Sequence, residues 1–248
     1  MKVRVRGIEL GYDDLGSGPA VVLLHGYPFN RSMWHEQVAA LKQTHRVITP
    51  DLRGHGESDV TSSPATMKDM ALDVAALLEL LNISRATVAG LSMGGYVALA
   101  FYRLFQLRVR SLILADTRAQ AEQALEHGME GIANSLLPKL LAPETVARRP
   151  EVVKQVREMM VKTVPQGAAA ALHGMAQRQD QTSFLYRIIS PTLIVVGRED
   201  SITPVADAEL MHREIGGSRL EIIENAAHVS CLDQADEFNR IVIKFLGF

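Results

Sequence analysis

The sequence predicts an α/β protein built on a mostly parallel central sheet of about eight strands, with helices on both faces. Three observations predict it. Continuous apolar runs such as AVVLLHG (20–26), ATVAG (86–90) and PTLIVVG (191–197) read as strands buried on both faces. Helical apolar spacing recurs between them, as at Met70, Val74, Leu77, Leu78 and Leu81. Glycine-rich turns sit where strand passes into helix, as in AGLSMGG (89–95).

The elements follow in order. Val3, Val5, Ile8 and Leu10 fall in two short alternating segments around Gly7, which predicts an antiparallel hairpin that ends at GSGP (16–19). RVITPD (46–51), RSLILAD (110–116) and SRLEIIENA (218–226) join the three runs above as strands. Helices are expected over Met33–Leu41, Met67–Leu81, Met93–Phe105 and Asp233–Leu246. Between Arg118 and Tyr186 no strand pattern is convincing. Ala, Leu, Met, Glu and Gln dominate there, and Pro138, Pro143, Pro150 and Pro165 cut the segment into short helices. The expected organisation is a core of residues 1–117 and 188–248 interrupted by a helical cap at 118–187.

Composition bounds the function. The chain has 248 residues, 47% hydrophobic and 22% charged, with a formal net charge of −2. That is ordinary globular composition, and it gives no electrostatic reason to expect nucleic acid or an anionic membrane as partner. No run approaches the ~18 apolar residues of a membrane span. MKVRVRGIEL lacks the apolar centre of a signal peptide, so a cytoplasmic location is the expectation. Cys231 stands alone, which excludes an internal disulfide, and no Cys/His cluster offers a metal site. No cofactor is expected; homo-oligomerisation is left open.

The chemistry centres on Gly90-Leu91-Ser92-Met93-Gly94. A nucleophile at the end of a buried strand must be lifted clear of the sheet by a sharp turn. Strand and helix then approach so closely that the flanking residues must be tiny. The helix that follows aims its amide groups at the serine and favours developing negative charge. A serine needs a general base, and the base needs an orienting carboxylate. Of the eight histidines, His228 lies just beyond the last expected strand, preceded by the small Ala226 and Ala227. His25 ends a buried strand. His55 lies in the loop DLRGHGES. Asp200 and Asp116 each follow a strand. The order Ser92, Asp200, His228 favours Asp200, with Asp116 as the fallback. Two backbone N–H groups should bind the oxyanion: that of Met93, and that of Tyr27 in the loop HGYPFNRSMW.

Taken together, HGYP, DLRGHGES, GLSMGG, GREDSITP and NAAHVSCLDQADEFN resemble the α/β-hydrolase superfamily, in its usual order and over nearly the whole chain outside the cap. Within it the chain is similar to small bacterial carboxylesterases, near enol-lactonases and cofactor-free haloperoxidases (perhydrolases). The resemblance implies the α/β-hydrolase fold. It also implies a Ser92–His228–Asp200 acyl-enzyme mechanism acting on a small-molecule ester of short to medium acyl chain, and it gives His55 no chemistry. Leu91 and VSCL (229–232) depart from common family patterns, which places Cys231 near the site as a buried thiol. Phe29, Met129, Ile132, Leu136 and Leu137 are expected to make the pocket apolar. A carboxylate-bearing lactone would want a buried arginine, for which Arg118, Arg148 and Arg178 are the candidates. Lactonase and perhydrolase activities are the alternatives with the same triad. A ligand receptor that keeps the triad is the alternative of another class.

Overall fold

Arg6 and Gly7 both take positive φ, 47° and 88°. This is the backbone twist that joins antiparallel strands through a two-residue turn. The strands on either side are β1 (Lys2–Val5) and β2 (Ile8–Leu15), with Val5 opposite Ile8. The computed structural model describes residues 1–61, 63–120 and 136–247. Six further strands follow: β3 (Ala20–Leu24), β4 (Arg46–Pro50), β5 (Ala86–Leu91), β6 (Val109–Ala115), β7 (Thr192–Gly197) and β8 (Arg219–Ile223). They form one sheet of eight strands in the order β1-β2-β4-β3-β5-β6-β7-β8. β2 meets β4 antiparallel; every later pairing is parallel. Every residue of β3, β5 and β7 is buried, as the unbroken apolar runs require of strands covered on both faces.

The helices are α1 (His35–Leu41), α2 (Met67–Leu80), α3 (Met93–Phe105), α4 (Pro143–Arg148), α5 (Pro150–Lys162), α6 (Pro165–Ala176), α7 (Val205–Glu214), α8 (Ser230–Asp233) and α9 (Ala235–Leu246). α2 buries Met70, Val74, Leu77 and Leu78, the stripe that its spacing announced. Each such side chain contributes about 1.5–3 kcal/mol on burial. Three elements differ from expectation. α7 was not anticipated, because only Ala208 and Met211 of its ten residues are buried and the apolar period is too sparse to read. The C-terminal helix breaks at Gln234 (φ −132°, ψ 61°) into α8 and α9. A 3₁₀ turn, Arg31–Trp34, leads into α1, capped by the Asn30 side chain.

Between β6 and β7 the described elements are all helical. Pro143, Pro150 and Pro165 each open a helix, where a missing N–H costs nothing. The helical insertion meets the core through backbone. Gly167 of α6 lies so close to Gly54 that a Cβ on Gly54 would sit 3.0 Å from the Gly167 Cα. Beside it, Ala65 N–H donates to Ala170 O at 3.0 Å. Among the described residues no helix is long and apolar enough to cross a membrane.

One buried ion pair fixes the loop after β4 to α2. Arg53 Nε and Nη2 reach Asp73 Oδ2 and Oδ1 at 2.6 and 2.7 Å, and Arg6 adds a third contact at 2.9 Å. Asp73 is 1% exposed and Arg53 7%. Asp73→Ala would strand the guanidinium, and breaking such a pair costs about 3–5 kcal/mol. The expected outcome is an unfolding free energy lowered by that amount, read as a lower urea midpoint at an unchanged slope.

Candidate active site

Ser92 stands between β5 and α3 with φ 53° and ψ −115°. A non-glycine residue held there stores about 1–3 kcal/mol of strain. The turn holds because the residues two positions away on either side have no side chains. A Cβ on Gly90 would strike the carbonyl of Gly94, and one on Gly94 would strike that of Leu24. Ser92 N–H donates to Ala115 O at 3.0 Å, so the strained residue is tied to the end of β6.

The structure brings three side chains together at the carboxyl end of the sheet. Ser92 Oγ lies 2.8 Å from His228 Nε2. His228 Nδ1 lies 2.9 Å from Asp200 Oδ2. Asp200 is held in turn: its Oδ1 accepts from the amides of Ile202 and Thr203 at 2.8 and 2.9 Å, and its Oδ2 from the Thr203 hydroxyl at 2.6 Å. Burial works against ionisation of Asp200. His228 and the Thr203 donors outweigh it, and the carboxyl lies below its usual range. A carboxylate at Nδ1 keeps the ring proton on that side and leaves Nε2 free to take the serine proton.

Asp116 does not meet His228. It directly follows β6, and its Oδ1 accepts from Gly197 N–H at 2.9 Å. Its Oδ2 accepts from the Ser230 amide and hydroxyl at 3.1 and 2.6 Å. It therefore ties the segment leading to Asp200 to the segment that follows His228. Burial, and then the charge of Asp200, push its carboxyl well above the usual range. Cys231, next to Ser230, is a fully buried thiol whose pKa burial also raises.

Neither Tyr27 N–H nor Met93 N–H makes a hydrogen bond among the described residues. Met93 is the first residue of α3. The Tyr27 N–H shares its peptide group with Gly26 C=O, so whatever holds that oxygen aims that amide. Gly26 O accepts from Phe29 N–H and from His25 Nδ1–H, each at 2.9 Å, while His25 Nε2 accepts from Leu52 N–H at 2.9 Å. The sequence reading missed this role of His25. Its one signal was position, a histidine directly before the glycine that opens the loop. Thr203, whose hydroxyl donates to Asp200, was missed as well.

Burial lowers the His25 pKa to about 4 and that of His55 to about 3; the His55 Nδ1–H donates to Arg53 O at 3.1 Å. In the unfolded chain both titrate near the ordinary value of about 6.5. Between those limits the unfolded chain binds more protons, so stability falls as pH drops below about 6.5 and these two groups stop contributing slope below about 3. The expected result is a urea midpoint that declines from pH 6.5 to 4, less steeply in His55→Gln.

Of the expected pocket residues, Phe29 is wholly buried and Leu136 and Leu137 are half-buried against the core. Met129 and Ile132 lie outside the described residues. A cavity of about 420 Å³ beside α3, lined by residues including Tyr96, Arg103 and Arg178, is bordered by neither Ser92 nor His228.

A family model for the alpha/beta hydrolase fold matches residues 19–235. The chain belongs to the α/β-hydrolase family. It is 31% identical to 3-oxoadipate enol-lactonase 2 of Acinetobacter baylyi, over 95% of this chain and 92% of that protein. A thermophilic esterase from Thermogutta terrifontis, solved with malate bound, superposes with a TM-score of 0.93 at 37% identity, covering 99% of this chain and 98% of that one. The enol-lactonase from Burkholderia xenovorans gives a TM-score of 0.95 at 30% identity, covering both chains fully. As an α/β hydrolase, the protein thus stands among esterases and enol-lactonases, the neighbourhood its motifs pointed to.

Proposed function

We propose that this α/β hydrolase cleaves carboxylic esters of short to medium acyl chain through an acyl-enzyme on Ser92. The observation that carries the reading is the chain of contacts Ser92 Oγ–His228 Nε2 and His228 Nδ1–Asp200 Oδ2, 2.8 and 2.9 Å. In the first step the Ser92 oxygen bonds to the ester carbonyl carbon while His228 takes its proton. The carbonyl oxygen becomes negative and is received by the amides of Tyr27 and Met93. The C–O bond to the alcohol breaks and His228 passes the proton to the leaving oxygen. Water then adds to the acyl-enzyme with the same base, and the acid leaves. Asp200 stabilises the imidazolium in both steps.

Lactone hydrolysis uses the same steps, and the enol-lactonase relatives favour it as the second reading. The charge distribution supports a neutral ester over a carboxylate-bearing lactone. Arg178 donates to Met175 O and Gln120 O at 3.1 and 2.8 Å and stacks 4.1 Å from the Tyr96 ring centre. Arg118 binds Ile202 O and lies 3.6 Å from Asp207, and Arg148 pairs with Glu144 at 2.9 Å on the surface. Residues 121–135 contain no lysine or arginine.

A fluorophosphonate probe should label the wild type and not Ser92→Ala, with steady turnover of p-nitrophenyl acetate and butyrate. A panel of neutral and carboxylate-bearing lactones run alongside separates the two substrate classes. Labelling followed by a single slow turnover would favour the receptor instead.

A further inference from the structure

The loop that carries the Tyr27 amide is held from two sides. On the core side, Phe29 N–H and His25 Nδ1–H pin Gly26 O. From the opposite side the helical insertion reaches in. Thr163, at the C-terminal end of α5, donates its hydroxyl to Pro28 O at 2.6 Å. Thr163 is 4% exposed, and its hydroxyl also lies 3.1 Å from Met159 O, the acceptor a helical threonine ordinarily uses. A hydroxyl has one proton, and the shorter contact directs it to Pro28. Pro28 has no N–H, so its carbonyl is the backbone handle available there. Between the pinned Gly26 and the pinned Pro28 stands only Tyr27. The anchor is itself fixed, because α6 follows α5 directly and meets the core through Gly167–Gly54 and Ala170–Ala65.

We propose that Thr163 is a positioning residue: it latches the helical insertion onto the loop 26–30 and keeps the Tyr27 N–H aimed at the acyl oxygen. The inference rests on the reading of Tyr27 as an oxyanion donor. Losing such a donor outright costs about 10²–10³ in kcat. Loosening one should cost less, about tenfold.

The test compares Thr163→Val with Thr163→Ser. Valine keeps the shape and removes the hydroxyl; serine keeps the hydroxyl. With p-nitrophenyl butyrate, kcat of Thr163→Val is expected to fall about tenfold at unchanged KM, with Thr163→Ser at the wild-type value. Affinity for phenylboronic acid, whose tetrahedral adduct on Ser92 places an oxygen at the same amides, should fall in parallel. Amide exchange of the peptide spanning residues 26–30 should quicken in Thr163→Val alone. Wild-type kcat and boronate affinity in Thr163→Val would overturn the proposal, even with faster exchange. So would a change confined to KM. Should Thr163→Val not fold, Thr163→Cys, with its weaker S–H donor, should give an intermediate kcat, and full activity there would overturn it equally. A wild type with no Ser92-dependent turnover would defeat the hydrolase reading, while the exchange measurement would still report on the latch.

Discussion

Ser92→Ala is expected to lower kcat for p-nitrophenyl butyrate about a million-fold, close to the loss from removing a whole triad. The reason is local. In the proposed reaction the Ser92 oxygen is the atom that bonds to carbon, and among the described residues no other hydroxyl or thiol hydrogen-bonds with His228 Nε2. Folding should be unharmed, since alanine removes only Oγ while the backbone bond from residue 92 to Ala115 O remains. Active-site titration with a fluorophosphonate and a thermal melt on the same sample check both halves. Residual turnover above one part in a thousand would mean that another nucleophile does the work.

Asp200→Asn carries the second-largest expected effect, a fall of about ten-thousandfold in kcat with KM little changed. An amide at this position can present N–H to His228 Nδ1 and so stabilise the wrong tautomer, leaving Nε2 protonated and unable to accept from Ser92. It also loses the charge that offsets the imidazolium. The same substitution at Asp116 leaves the His228–Asp200 contact in place, and its loss should be at least about a hundredfold smaller. Steady-state kinetics of the two variants side by side decide which carboxylate serves the histidine. Equal losses would contradict the assignment.

Much of this site was legible because each element of it imposes a local demand on composition. A nucleophile turn needs glycines at fixed offsets, and Gly90 and Gly94 stand two residues either side of Ser92, where a Cβ would strike backbone. Buried parallel strands need unbroken apolar runs and the edge hairpin an alternating pattern, so all eight strands could be placed from the sequence. What was not legible depends on the course of loops. Asp116 and Asp200 look alike in the sequence, each an acid just past a strand. Only the path of residues 198–203 turns one toward His228 and leaves the other between Gly197 and Ser230. His25 acts through a ring turned back onto the carbonyl of its own neighbour, which spacing does not encode. Thr163 acts across 135 positions, from a segment whose sequence announces helices but not what they touch. α7 escaped because a helix that buries so few side chains leaves little periodic trace.

The strand order carries a consequence for synthesis. Ser92 follows β5, in the middle of the sheet, whereas His228 follows β8, at its edge and the last strand in the chain. Translation adds about 5–20 residues per second. Residue 92 is therefore synthesised many seconds before residue 228, and under the proposed mechanism the serine waits for its base until the last strand of the sheet has been made.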